Sequence, residues 1–194
     1  MGTHTPVDMT GKTVMITGAN RGIGKATAMG LAQMGADLVL VCRDRGLATA
    51  ALRDIAAQGD GSVDFLIADL NSQKQIRAAV DEFVSSARPL HVLINNAGVT
   101  LNNRSETEDG IESTFAINHL AAFLLTDLLL DRLKESAPAR VVTVSSAAHK
   151  FADLDLDDVN ATKGYNGMRV YGGSKLANIL FTRELARRLD GTGV

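Results

Sequence analysis

The stretch RVYGGSKLANIL (169–180) sets Tyr171 four residues ahead of Lys175. Residues i and i+4 of a helix share a face one turn apart, so the phenol and the ammonium come side by side. A tyrosine ordinarily titrates near pH ~10, too high for a general base at neutral pH. A neighbouring cation favours the phenolate, and such a pair is suited to moving a proton to or from a substrate oxygen. The residues between them suit a helix badly, because Gly costs about 1 kcal/mol against Ala in a helix interior. Gly172 and Gly173 therefore read as keeping side chains away from a cofactor or substrate, with the apolar residues from Leu176 onward anchoring the turn. Taken singly, Tyr171 is equally a packed helix-start aromatic and Lys175 a solvated charge.

A second run, TGANRGIG (17–24), sets Gly18, Gly22 and Gly24 around Asn20, Arg21 and Ile23. Glycine lets a backbone approach a pyrophosphate, and a helix N-terminus supplies N–H donors and a positive dipole end. The bland alternative is a tight strand-to-helix turn that binds nothing; a strand before and a helix after favour the phosphate loop. The next strand ends LVLVCRDR. Where a site for NAD places an acid for the ribose 2′-OH stands Cys42, followed by Arg43, and Arg21 offers a second cation. Two guanidinium groups suit a dianionic 2′-phosphate. NADP(H) is thus expected over NAD(H), with Asp44 as the residue that argues the other way and two solvated surface arginines as the plainer reading.

These residues need elements to hold them. Apolar, β-branched runs at 12–18, 37–42, 62–69, 91–98 and 139–146 read as strands, buried on both faces. Helical spacing covers 22–34, 44–58 and a segment to about Ser86 capped by Asn71 or Ser72. Two further helical segments, 106–115 and 117–136, precede the fifth strand, and a loop at 147–170 leads to a helix over 171–190. Strands alternating with helices mean right-handed βαβ units and one parallel sheet. The expected fold is α/β, a Rossmann-type doubly wound sheet in three layers, as a single domain over 1–194.

The composition sets bounds on function. A net charge of −2 without a basic run gives no nucleic-acid footprint. One cysteine, Cys42, excludes an intrachain disulfide and fits a reducing cytoplasm. Residues 1–13 lack the apolar centre of a signal peptide. The longest apolar stretch, 115–130, is interrupted by Asn118, His119, Thr126 and Asp127, short of the roughly 18 apolar residues in a row that mark a span. The expectation is a cytoplasmic protein outside the membrane. His4, His91, His119 and His149 show no metal-ligand spacing and read as structural or surface residues, so no metal is expected. His149 is the one placed to border a substrate pocket.

The glycine run fits TGxxxGxG at every fixed position, and NNAG (95–98), Asn118, VSS (144–146) and Tyr171-x3-Lys175 follow in order. In this set the chain resembles the short-chain dehydrogenase/reductase family over nearly its whole length. The resemblance implies an oxidoreductase that interconverts a carbonyl and an alcohol by hydride transfer with a nicotinamide cofactor. It makes Tyr171 the acid/base, Lys175 its partner and a ligand of the nicotinamide ribose, and Ser146 the group that polarises the substrate oxygen. Asn118 would hold a water in a proton relay through Lys175. Asp69 would lie near the adenine with the Leu70 backbone beside it, and Asn95, Ala97 and Gly98 against the adenosine ribose, a role at least half structural. Each has a duller alternative: Ser146 a strand-end cap, Asn118 a helix N-cap, Asp69 a helix N-terminal acid. His149 stands where the family's serine pattern carries glycine.

SSAAH and YGGSKLANILFTREL look most like the retinol-dehydrogenase-like branch, which acts on retinoids and other lipophilic aldehydes and ketones. Many of its eukaryotic members carry an N-terminal membrane anchor, which is not seen in this sequence, so a carbonyl reductase of broad specificity is the expectation. The apolar helix near 117–133 and the Tyr171 helix imply a homodimer or homotetramer. The family would begin a sixth strand where DGTGV stands, leaving one sheet edge unpaired. The expectation is a chain truncated or shortened after its sixth helix. Two rival readings are an NADP(H) sensor without turnover, disfavoured by the complete catalytic set, and a sugar-nucleotide epimerase or dehydratase, disfavoured by Arg43.

Overall fold

Strands whose side chains are apolar on both faces must be covered on both, and the helices between them do the covering. The computed structural model describes residues 7–194; His4 lies outside them. In chain order the elements are β1 (Thr13–Thr17), α1 (Gly22–Gln33), β2 (Asp37–Cys42), α2 (Arg45–Ala56), β3 (Val63–Ile67), α3 (Gln73–Ser85) and β4 (Val92–Asn95). There follow a helical turn α4 (Ser113–Phe115), a π turn (Ala116–Leu120), α5 (Ala121–Glu135), β5 (Arg140–Thr143), a 3-10 turn (Ala147–Phe151) and α6 (Gly167–Arg188). The five strands form one parallel sheet in the order β3-β2-β1-β4-β5. The order in which the chain adds strands reverses between β1 and β4, and ligands of such folds sit at that switch point, beyond the strands' C-terminal ends.

Alternation along the strands sorts the core into two layers. Val14, Ile16, Leu38 and Leu40 face α1 and α2 through Ala28, Ala32, Ala48, Ala51 and Ile55. Met15, Val39, Val41 and Leu93 face α3 and α5 through Ile76, Val80, Phe83, Leu125, Leu129 and Leu133. The small alanines let α1 lie close on the sheet, which sets the height of the loop before it. The continuous helical run Ser113–Glu135 has the length and apolarity of a membrane span, with a mean hydropathy of 1.4. Counting uninterrupted apolar residues misses this, because a helix averages over its polar positions. Leu125, Leu129 and Leu133 are buried in the protein core.

Two expected elements differ. The helix expected over 106–115 is mostly loop, with a bridge between Glu106 and Glu112 and one turn from Ser113. That turn forms because Glu112 accepts from the Thr114 and Phe115 N–H groups. α6 begins at Gly167, capped by the Asn166 side chain on Arg169 N at 3.0 Å, so Tyr171 sits one turn inside the helix. Its buried face is small and polar: Gly172, Gly173, Ser174, Lys175, Ala177 and Asn178. Leu180 is 48% exposed, while Phe181 packs against Phe123, so hydrogen bonds join the apolar anchor expected from Leu176 onward.

Candidate active site

The chain crosses from β1 to α1 through a turn that only glycine fits. Gly18 has φ +69°, a left-handed conformation that glycine takes without strain. A Cβ on Gly24 would stand 2.4 Å from the Gly18 carbonyl oxygen and 2.5 Å from Asn96 Nδ2, so α1 starts directly against the turn. The residue before α1, Arg21, is extended and gives the helix no side-chain cap. By contrast α2, α3 and α6 are capped by Asp44, Ser72 and Asn166. The first-turn N–H groups of α1 are therefore unclaimed by side chains and face a groove, where an anion satisfies them.

That groove, about 400 Å³, runs over the C-terminal ends of four strands and is lined by Gly18, Asn20, Arg21, Gly22, Ile23, Gly24, Arg43, Asp69, Leu70, Ala97 and Gly98. Cys42 lies in its wall. Burial pushes this thiol up from the ordinary cysteine value, against the pull of the Ala19 and Asn20 backbone N–H groups, so it stays neutral and is no substitute for a ribose-binding acid. Asp44, the residue that argued for NAD, is committed as the α2 cap, accepting from Leu47 N at 2.8 Å. Arg43 is 75% exposed at its side chain and reaches Asp69 at only 3.9 Å. Asp69 accepts from Asn71 N at 2.9 Å and closes the turn into α3.

Asn95 does not line the groove. Its side chain points under α5, where Nδ2 donates to Thr126 Oγ1 at 3.0 Å. Asn96 takes the place expected of it. Asn96 Nδ2 donates to the Thr17 carbonyl at 2.8 Å, and Thr17 Oγ1 accepts from the N–H groups of Asn96 and Ala97, each at 3.0 Å. The NNAG stretch is thereby stapled to the glycine turn. A strand's alternation puts neighbouring Asn residues on opposite sides, a signal that the sequence carries.

The other half of the site is made of side chains. A Cβ on Gly98 would lie 3.2 Å from Lys175 Nζ and 3.4 Å from Asn118 Oδ1, so the groove ends where these groups begin. Lys175 is 3% exposed; its Nζ donates to the Val144 carbonyl at 3.0 Å and lies 5.6 Å from the centre of the Tyr171 ring. Burial pushes the Lys175 ammonium down from the usual lysine value, because desolvation disfavours charge. Asn118, on the π turn, is fully engaged: Oδ1 accepts from Val99 N at 2.7 Å, and Nδ2 donates to Val99 O at 2.9 Å and Ser174 Oγ at 3.0 Å. π turns insert an extra residue and recur at functional sites.

The adjacent serines divide their work. Ser145 Oγ donates to the Lys175 carbonyl at 2.9 Å, tying β5 to α6. Ser146 caps the 3-10 turn, accepting from Ala148 N at 3.2 Å, and keeps its own proton to donate. His149 folds back, its Nδ1 2.6 Å from the Ser146 carbonyl. The glycines at 172 and 173 serve this half in a different way from that expected. A Cβ on Gly172 would stand 2.5 Å from Ala152 Cβ and 2.8 Å from the Ala148 carbonyl, and one on Gly173 would stand 3.1 Å from Asp153 O. Gly172 makes room for the chain's own 3-10 turn and so brings the Ser146 segment onto the helix that carries Tyr171, while Gly173 lies against Asp153 O and lines a cavity of about 190 Å³ beside Ser174.

Fold, groove and side-chain cluster together define an α/β protein with a glycine-lined groove at its switch point, and the comparisons give its family. The short chain dehydrogenase family model matches residues 12–194, so the chain belongs to the short-chain dehydrogenase family. Within it the chain falls in the retinol-dehydrogenase-like branch. It is 51% identical over 191 residues to retinol dehydrogenase 12 of Mus musculus, covering 98% of this chain and 60% of that protein. With retinol dehydrogenase 14 of Homo sapiens the identity is 48% over 200 residues, covering 96% of this chain and 60% of that protein. The chain thus spans about 60% of the length of these relatives. Among solved structures, an uncharacterized protein from Mycobacterium paratuberculosis matches with a TM-score of 0.84 at 41% identity, over 96% of this chain and 66% of that one. The Pseudomonas aeruginosa RhlG/NADP active-site complex matches with a TM-score of 0.80 at 28% identity, over 98% and 72%.

Proposed function

We propose that the protein is an NADP(H)-dependent oxidoreductase that interconverts a lipophilic aldehyde or ketone and its alcohol, with Tyr171 as the acid/base. The observation that carries this reading is the buried Lys175 ammonium, held beside the Tyr171 ring at the end of a glycine-lined groove. Burying a charge is costly, and an ammonium placed so has a use that a surface lysine lacks.

The groove fits the cofactor. The unclaimed N–H groups of α1 suit a pyrophosphate, and Arg21 and Arg43 suit a 2′-phosphate. When bound, the nicotinamide supplies or accepts the hydride. The chain's residues do the rest: Ser146 donates to the substrate oxygen and fixes it, and Tyr171 exchanges the proton with that oxygen. Lys175 supplies positive charge beside the ring and binds ribose hydroxyls, and Asn118 holds the Val99 backbone and Ser174 in place around it. The names of the relatives support a retinoid or similar substrate, and the NADP of the RhlG complex supports the phosphate preference. The lone buried Cys42 supports a reducing cytoplasm. Phe123, 46% exposed and 5.4 Å from the Phe181 ring, and Leu180 support a homodimer or homotetramer through α5 and α6, which the particle mass in solution tests.

The test is NADPH oxidation by the longest natural form of the chain against a panel of aldehydes and ketones, with Tyr171→Phe alongside. The expected result is turnover lost by at least about a thousandfold, as for removal of an essential acid/base, with NADPH affinity within twofold. Retained turnover in Tyr171→Phe removes the proposed acid/base.

A further inference from the structure

The stripe Tyr171, Ser174, Lys175, Asn178 occupies positions i, i+3, i+4 and i+7 of α6, one face of the helix. The first three have been placed in the site. Asn178 is 1% exposed and makes two bonds at opposite ends of its carboxamide. Nδ2 donates to the main-chain carbonyl of Asn118 at 3.0 Å, and Oδ1 lies 2.9 Å from Nδ1 of His119.

The chemistry of these groups fixes every proton. A backbone carbonyl only accepts, so the amide nitrogen must face Asn118 and the amide oxygen must face His119. That oxygen also only accepts, so the bond requires His119 to carry its proton on Nδ1. His119 is held for this task by Phe115 and Phe181, whose rings lie 5.2 and 6.1 Å from its own. Burial pushes His119 down from the ordinary histidine value, so it is a neutral imidazole with one N–H, committed to Asn178. A flipped amide would set two oxygens against each other at the π turn.

We propose that Asn178, oriented by His119, is a positioning residue that acts through Asn118. Its carboxamide holds the Asn118 carbonyl and so fixes the π turn in the register that aims the Asn118 side chain at Val99 and Ser174. The inference rests on the oxidoreductase reading above. Nothing in the sequence marks Asn178 beyond its i+3 spacing from Lys175, and it is not among the residues that line the groove.

Two measurements test it, in the longest natural form of the chain. The first does not depend on turnover: 15N NMR of the imidazole should show His119 as the Nδ1–H tautomer, and an Nε2–H tautomer overturns the proposal. The second is kinetic. Asn178→Leu and Asn178→Asp, neither of which can donate to the Asn118 carbonyl, should each lower kcat at least tenfold, with KM for NADPH within twofold and the melting temperature kept within a few degrees by the Leu variant. His119→Gln, whose amide can still donate to Asn178 Oδ1, should keep most of the turnover that His119→Leu loses. Wild-type kcat in both Asn178 variants, beside an inactive Tyr171→Phe, overturns the positioning role and leaves the oxidoreductase reading intact. An active Tyr171→Phe sinks that reading instead.

Discussion

The two halves of the site are built from opposite materials. The groove over β1, β2, β3 and β4 is a backbone surface: glycines without side chains, an α1 terminus without a cap, and main chain stapled by Asn96 and Thr17. The Tyr171–Lys175 half is a side-chain surface, in which Asn118, Ser174, Lys175 and Asn178 are all at least 97% buried and bonded to one another or to main chain. A backbone cradle recognises what every dinucleotide shares, its pyrophosphate. A side-chain cluster holds one proton-transfer geometry and depends on contacts between distant parts of the chain.

Glycine substitutions break the comparison most sharply, because both halves use glycine to close a gap. Gly24→Val puts atoms within 2.4 Å of the Gly18 carbonyl and pushes α1 off the turn. NADPH affinity should fall by about a hundredfold, the ~3 kcal/mol upper range of overpacking, as read by titration of cofactor fluorescence. Gly172→Val strikes Ala152 and Ala148 and moves the Ser146 segment off α6. Here kcat should fall about thirtyfold on the same scale while the NADPH dissociation constant stays within twofold. If both variants lost cofactor affinity alike, the two halves would be one cooperative unit and the division drawn above would be wrong.

That division also explains what the sequence makes legible. The groove is local: strand, glycine turn and helix lie within Thr13–Gln33, and their spacing declares itself. The sheet order follows from the alternation of strands and helices. The Tyr171–Lys175 half joins residues 56 to 60 positions apart, which no local period reports. Tyr171 and Lys175 are legible because they share a helix, whereas nothing local sets Ser174 and Asn178 apart from other polar helix residues. The same gap hides the role of Gly172, since the 3-10 turn it accommodates comes from the other end of a loop. Asn95 shows only the structural half of its expected role, because strand alternation turns it toward Thr126.

Charge sharpens the comparison at the groove's edge. Arg43 is exposed and only loosely paired with Asp69 at 3.9 Å, so surface screening leaves that pair worth little and the guanidinium available. Hydrogen bonds to a charged group contribute about 1.5–3 kcal/mol. Arg43→Ala should therefore raise the NADPH dissociation constant by roughly ten- to hundredfold and leave that for NADH unchanged, narrowing the preference. Equal dissociation constants for the two cofactors in the unmutated chain would remove the basis for assigning the 2′-phosphate to this residue.

The smallest effect concerns the missing cap. α2, α3 and α6 each spend a polar side chain on their first turn, and α1 does not. Arg21 already has the extended backbone of a capping residue, with φ −160° and ψ 171°, so Arg21→Asp supplies what the helix lacks. Relative to Arg21→Ala, which removes the guanidinium without adding an acceptor, the cofactor-free chain should gain about 1 kcal/mol in urea unfolding. The same carboxylate would occupy the N–H groups that a pyrophosphate needs and would repel its charge. Arg21→Asp should thus bind NADPH more weakly than Arg21→Ala, although it is the more stable of the two. A cap that stabilised the chain and left cofactor affinity at the alanine level would mean that the α1 terminus is not where the phosphate binds.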